Sequence, residues 1–192
     1  MDDVSKRRVI RWWVPLGILV IGLAAGAVLG AATNLVNGSV SSEYFSIVMG
    51  WDPIEAPLLA IPQGMLESGA LGAAFGIVVA ISFSASTKFR GKSGLALRAW
   101  GVAVLVALVC WALGGACGIG VSSCSPTLFH EMFPQSRAVV DLVRYAWVGG
   151  SIWGGYGGTI VGSVAACVYL HVRWRRECQR ADGAFEVMPA AR

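Results

Sequence analysis

Charge is what this sequence has least of: Asp, Glu, Lys and Arg make up 14% of its 192 residues, and only two residues are histidine. A chain so poor in charge, with a mean hydropathy of +0.66, lies outside the soluble range and calls for lipid as its main solvent. The same scarcity weighs against an enzyme, because no nucleophile, base and orienting group converge on one side of the bilayer. His130 is expected in an outer loop and His171 at the inner boundary, so they share neither a metal nor a triad. No catalytic residue, metal ligand or cofactor is expected. The five cysteines form no CxxC pair, which argues against a disulfide framework. They are read as small buried residues, and Cys117 could meet Cys124 only if a helix ended between them. Gly91-Lys92-Ser93 has the ending of a phosphate-binding loop, but Ser86 stands where the first glycine is needed and no strand precedes it.

Long apolar runs are abundant instead. Four stretches, roughly 12 to 35, 60 to 85, 97 to 121 and 142 to 171, exceed the ~20 residues that cross a ~30 Å hydrocarbon core. Lys and Arg stay on the cytoplasmic side during insertion. Lys6, Arg7, Arg8 and Arg11 precede the first run; Lys88, Arg90, Lys92 and Arg98 separate the second from the third; Arg173, Arg175, Arg176, Arg180 and Arg192 follow the fourth. Thirteen basic residues therefore share one side, against Arg137 and Arg144 on the other. The expectation is a multi-pass protein of the plasma (inner) membrane, with both termini cytoplasmic and residues 172 to 192 as a cytoplasmic tail. The pI near 9.0 then reports topology and not a nucleic-acid partner. Trp12, Trp13, Trp100 and Trp174 at the inner boundaries, with Trp51 and Trp147 near the outer ones, agree with this placement. The first run also follows a basic segment and has small residues at Gly30-Ala31-Ala32, but it is long for a cleaved leader and reads as a span.

Glycine, at 25 residues, carries the packing. Gly64, Ser68, Gly72, Gly76 and Ala80 recur every fourth residue in the second run, and Ala146, Gly150, Gly154, Gly158 and Gly162 do the same in the fourth, at a constant offset of 82. Gly22, Gly26 and Gly30 give the first run a similar face, and Gly114 with Gly118 the third. In lipid, small residues at such spacing let helix backbones approach closely. Gly30-Ala31-Ala32 aligns with Gly114-Gly115-Ala116, and Phe45 with Phe129, both at an offset of 84. The pattern predicts an all-α integral membrane fold: one domain over 1 to 192, a four-helix bundle of two tandem helix-loop-helix repeats, about 12 to 86 and 97 to 171. The repeats would be related by an axis along the membrane normal. Each outer loop should carry a short amphipathic surface helix, one capped by Ser42 and the other opening at Ser125-Pro126. Asp52-Pro53-Ile54-Glu55 has the residue types of a helix start, while Thr87 to Leu97 and the tail after Cys178 read as polar and flexible.

Glu67 is the one acid expected inside the hydrocarbon, with Gln63 on its face one turn away. Arg144, about 7 Å nearer the outer surface by the repeat register, is its candidate ion-pair partner. The alternative is a proton or cation site at Glu67. Asn37-Gly38-Ser39 is a formal glycosylation sequon on the outer side. Arg137 and Asp141 ahead of Gly149, Gly150 and Gly154 make a stretch of some 18 residues loosely similar to mitochondrial inner-membrane translocase channel subunits, with one spacing different and the upstream aromatic missing. No function is carried over from that resemblance. Two functions follow from the residues themselves. One is a non-enzymatic protein acting through self-association or assembly with a membrane partner, its partners otherwise being the lipid bilayer. The other is a small channel or transporter with Glu67 in the permeation path. The topology has a direct check: a reporter fused after Arg180 is expected to read cytoplasmic and one inserted at Gly50 external, and a cytoplasmic signal at Gly50 refutes the charge argument.

Overall fold

The computed structural model describes residues 11–186, with side chains described to Arg180. All regular structure among these residues is helical. The elements in order are α1 (Trp13–Val40), α2 (Ser42–Met49), α3 (Ala56–Thr87), α4 (Ser93–Cys124), α5 (Pro126–Met132), a 3-10 turn at Pro134–Ala138, and α6 (Leu142–Glu186). Helices α1, α3, α4 and α6 are each long and apolar enough to cross a membrane. Large apolar side chains cover their outer faces, with Val28 70% and Leu66 76% exposed. A surface of this kind suits surrounding lipid.

Helix ends follow local chemistry. Pro57 and Pro126 fall in the first turns of α3 and α5, where the backbone N–H has no intrahelical partner to lose. Pro62 lies inside α3 and withholds the N–H that would otherwise reach the Leu58 carbonyl. The cap of α2 is Ser41, not Ser42: its hydroxyl accepts from the Tyr44 N–H at 3.3 Å. Helix α2 stops at Gly50, whose φ of 72° is a left-handed conformation that glycine adopts without strain. Asp52 turns the chain into α3 as its residue type suggests, with its carboxylate accepting from the Ile54 N–H at 2.8 Å. Two segments expected to be flexible are more ordered than that. Only 88–92 separates α3 from α4, and α6 continues through the basic tail to Glu186. The physical reason is that Arg, Glu, Gln and Ala favour helix in water as well as in lipid, so loss of hydropathy ends a span without ending a helix. Helix α4 also runs unbroken through Cys117 and Cys124, and all five cysteines are free.

The helices pair as two antiparallel hairpins, α1 with α3 and α4 with α6. At the rungs of each hairpin there is no room for a side chain. A Cβ on Gly22 would lie 2.5 Å from the Gly72 carbonyl oxygen, and those on Gly26 and Gly30 would run into the carbonyls of Ser68 and Gly64. Across α4 and α6 the same holds for Gly114 against Gly150, Gly118 against Ala146, Gly154 against Cys110, and Gly162 against Ala103 at 2.6 Å. Gly158 would meet the Cys110 Cβ at 2.5 Å, whereas Gly76 has ordinary contact with Leu19 at 3.4 Å. The offsets of 84 and 82 align Gly30 with Gly114 and Gly64 with Ala146, but Gly114 faces Gly150, so the second hairpin is slipped by one helical turn relative to the first.

The hairpins meet mainly through α3 and α6. Near the 88–92 turn, Val14, Ile18, Val79, Phe83, Ala99, Trp100, Ala166 and Leu170 from all four long helices form one buried cluster. At the opposite end α2 folds inward, so that Phe45 is buried against Ala56, Ala60 and Val148. Phe129 of α5 packs likewise on Tyr145 and Ala146. The two connections are tied by the Val140 N–H, which donates to Glu43 Oε1 at 2.9 Å.

The rung geometry predicts a contrast along α6. Gly154→Leu should destabilise by about 1 to 3 kcal/mol through overpacking, since a Cβ there also lies 2.9 Å from the Gly114 Cα. Gly157→Leu, with nothing within 4 Å of its Cβ, should leave the unfolding midpoint in detergent unchanged or raised. Equal midpoints for the two variants would contradict the pairing.

Candidate functional site

Between the two apolar end clusters the hairpins part, because no small-residue ladder joins one hairpin to the other as it joins helices within each. The space left is a cleft of about 220 Å³, bounded by α1, α3, α4 and α6 and closed at one end by Tyr44, Phe45 and Met49 of α2. Its walls are mostly apolar or aromatic, among them Leu29, Leu71, Trp100, Leu108, Trp111 and Trp153. Glu67 is the only charged residue in the lining. Four lining residues are exposed: Met49 at the end of α2, Glu67 and Trp153 about three turns into α3 and α6, and Leu108 midway along α4. The cleft therefore opens on the flanks of the long helices in the half nearer α2.

Both oxygens of the Glu67 carboxylate accept hydrogen bonds from neutral donors. Gln63 Nε2 donates to Oε1 at 2.9 Å from one turn away on α3, and Tyr156 of α6 donates its hydroxyl to Oε2 at 2.8 Å across the hairpins. Arg144 is not its partner. The arginine pairs with Asp141 at 3.2 Å, the one ion pair within 4.0 Å among the described residues. Asp141 also caps the first turn of α6, accepting from the Arg144 N–H at 3.1 Å. The expected pairing fails because Glu67 sits level with Tyr156, three turns of α6 beyond Arg144, or about 18 Å of rise at 1.5 Å per residue.

The seam above Glu67 holds one buried polar contact between hairpins. Ser151 Oγ lies 3.0 Å from Asn37 Oδ1 and 2.9 Å from the Val148 carbonyl, and its single proton serves one of them at a time. With the Asn37 amide turned about, Nδ2 donates to Ser151 while Ser151 donates to Val148, and the otherwise unpaired Nδ2 is used. Asn34 Nδ2 donates to the Ala60 carbonyl at 3.0 Å, within the first hairpin. Asn37 is 1% exposed, so the formal sequon is inaccessible to a glycan in this fold. Trp100 Nε1, Trp111 Nε1 and Gln63 Oε1 also line the cleft and find no partner in the protein. Tyr44, in α2 at the end of the cleft, has its hydroxyl pKa raised to about 12, first by burial and then by the neighbouring Tyr145 and Glu67, so it stays protonated at physiological pH.

His130 and Glu131 remain outside this site. His130 Nδ1 is 2.7 Å from Ser136 Oγ, and because Ser136 donates to the Phe133 carbonyl at 2.6 Å, the histidine is the donor to Ser136 and staples the second connection. Of the site residues, Glu67 and Gln63 were legible beforehand; Tyr156, Asn37 and Trp111 were not. Tyr156 did carry a signal, as the lone tyrosine within the glycine run of α6.

No protein-family model, curated protein or solved structure matches the chain.

A double-mutant cycle tests the assignment. Glu67→Gln and Tyr156→Phe are expected to couple by about 0.5 kcal/mol or more in equilibrium unfolding, while Glu67→Gln and Arg144→Gln should add within about 0.5 kcal/mol. Coupling of Glu67 to Arg144 in place of Tyr156 would overturn it.

Proposed function

We propose that the protein is a multi-pass membrane protein that moves a small solute through the cleft at Glu67. The observation that carries this reading is a lone carboxylate, held by two neutral donors and facing no cation, in a cleft shared by all four long helices. Ionisable groups at membrane depth are costly to keep and serve ion or substrate paths when they face a cavity. On this proposal the basic clusters set both termini on the cytoplasmic side, and the two hairpins are tandem copies related along the membrane normal. Such repeats place a site at their interface and work by rocking one unit against the other. The contact pattern suits that motion: glycine rungs bring backbones together within each hairpin, while larger side chains such as Phe45, Val148 and Tyr156 fill the contacts between the hairpins.

Action through self-association is the weaker reading. The ladder glycines are taken up within the hairpins, so they offer no free ladder to a second copy. In liposomes, the wild-type protein is expected to support proton- or cation-dependent flux, and Glu67→Gln to abolish it while the protein stays folded. No flux of protons, sodium or potassium, and none of an organic cation, at several pH values would make the transport reading untenable.

A further inference from the structure

Resting on the reading of the Glu67 cleft as a solute site, we infer that its solute is a lipophilic organic cation, an amine or quaternary ammonium carrying an apolar body. Four features of the cleft converge on that chemistry. The first is charge: Glu67 supplies a single negative group, and among the described residues no Lys, Arg or His lines the cleft to compensate it. Because its hydrogen-bond partners are neutral, the charge is left for a ligand to neutralise. The second is aromatic lining. Tyr44, Trp111, Trp153 and Tyr156 surround the carboxylate's end of the cleft, with Trp153 and Tyr156 in edge-to-face contact at 6.1 Å. Ring faces attract cations, and most strongly where water is excluded, so carboxylate and rings favour the same sign of ligand charge.

The third feature is access. The open side lies on the flanks of the long helices, from the α2 end to the middle of α4, so a molecule reaches it from the half of the bilayer nearer α2, which selects solutes that partition there. A body larger than the enclosed space can protrude through that side. The fourth is unused polar capacity. The indole N–H of Trp100, a residue 7% exposed, and that of Trp111 have no acceptor, and Gln63 Oε1 has no donor. Buried polar groups are rarely left unpaired. An ammonium N–H fits Gln63 Oε1 beside Glu67, and an ether or carbonyl on the ligand body fits the indole N–H groups. A strongly hydrated metal ion suits this site poorly, because one carboxylate with mostly apolar walls replaces few of its water ligands.

The test uses the full chain in detergent with radiolabelled tetraphenylphosphonium as the probe, and tetraphenylborate as an anion of the same shape. Saturable binding of the cation is expected, without competition from the borate. Affinity should fall about tenfold or more in Glu67→Gln, and stay within a few-fold of wild type in Glu67→Asp, which keeps the charge. Absence of saturable cation binding by folded protein overturns the inference. So does equal binding of tetraphenylborate, which would show an apolar cavity without charge selection, or unchanged affinity in folded Glu67→Gln. If Glu67→Gln does not fold, Trp153→Leu must weaken binding severalfold, and unchanged affinity there is equally fatal. The two readings fail separately. Probe binding without flux of any solute removes transport and leaves the ligand class, whereas Glu67-dependent proton or metal-cation flux without probe binding does the reverse.

Discussion

Direct contact between helix backbones at the glycine rungs is the interaction on which the rest of the structure depends. In lipid no hydrophobic force draws one apolar helix to another, so association comes from close packing, and packing is closest where the side chain is a hydrogen atom. Gly22, Gly26 and Gly30 against Gly72, Ser68 and Gly64 fix the register of the first hairpin. Gly114 and Gly118 against Gly150 and Ala146, continued by Gly154, Gly158 and Gly162, fix the second over more of its length. With those faces committed, each hairpin presents larger side chains to the other, Leu29 and Leu71 from the first and Trp100, Trp111, Ile152 and Tyr156 from the second. Large side chains hold helices apart. The cleft is thus a consequence of tight packing elsewhere, and its place at mid-length follows from the apolar clusters that close both ends.

The polar groups are distributed to match. Every buried hydroxyl that can return a proton to its own helix does so, as Thr87 does to the Phe83 carbonyl and Ser163 to that of Thr159. Polar contacts between the long helices of the two hairpins are few among the described residues, namely Asn37 with Ser151 and Glu67 with Tyr156, with Glu43 and the Val140 N–H joining the connections. Each is a single contact that breaks without exposing helix backbone. A seam made this way separates at lower cost than a glycine rung, where opening leaves close-packed surface with nothing to fill it.

What the sequence made legible was what depends on one helix at a time. Hydropathy marked four spans, and spacing at every fourth residue marked the faces that pack. Residue types at Ser125-Pro126 marked a helix start, whereas Asp52-Pro53 forms the turn three residues ahead of α3. What depends on two helices at once was harder. The partner of Glu67 turns on the register of α3 against α6, which the connections set, and a step of one turn separates the two hairpins' pairings. Arg144 looked near enough only while that register was taken from the repeat offsets. The helical tail escaped notice because the residues after Cys178 are polar and read as flexible, whereas loss of hydropathy ends a span without ending α6, which continues to Glu186.

The central claim is that the hairpins are rigid units and that the seam between them is where the molecule moves. Pulsed electron-spin distance measurements in bilayers, with the native cysteines replaced and labels at exposed sites, test it most directly. Pairs at Val28 with Leu66 and at Leu105 with Val164 report within hairpins, and Val28 with Leu105 reports across them. The account predicts narrow, unchanging distributions for the first two and a broader one for the third that shifts when tetraphenylphosphonium saturates the protein. Three equally narrow distributions that do not respond, or a shift within a hairpin as large as the one across the seam, would contradict it.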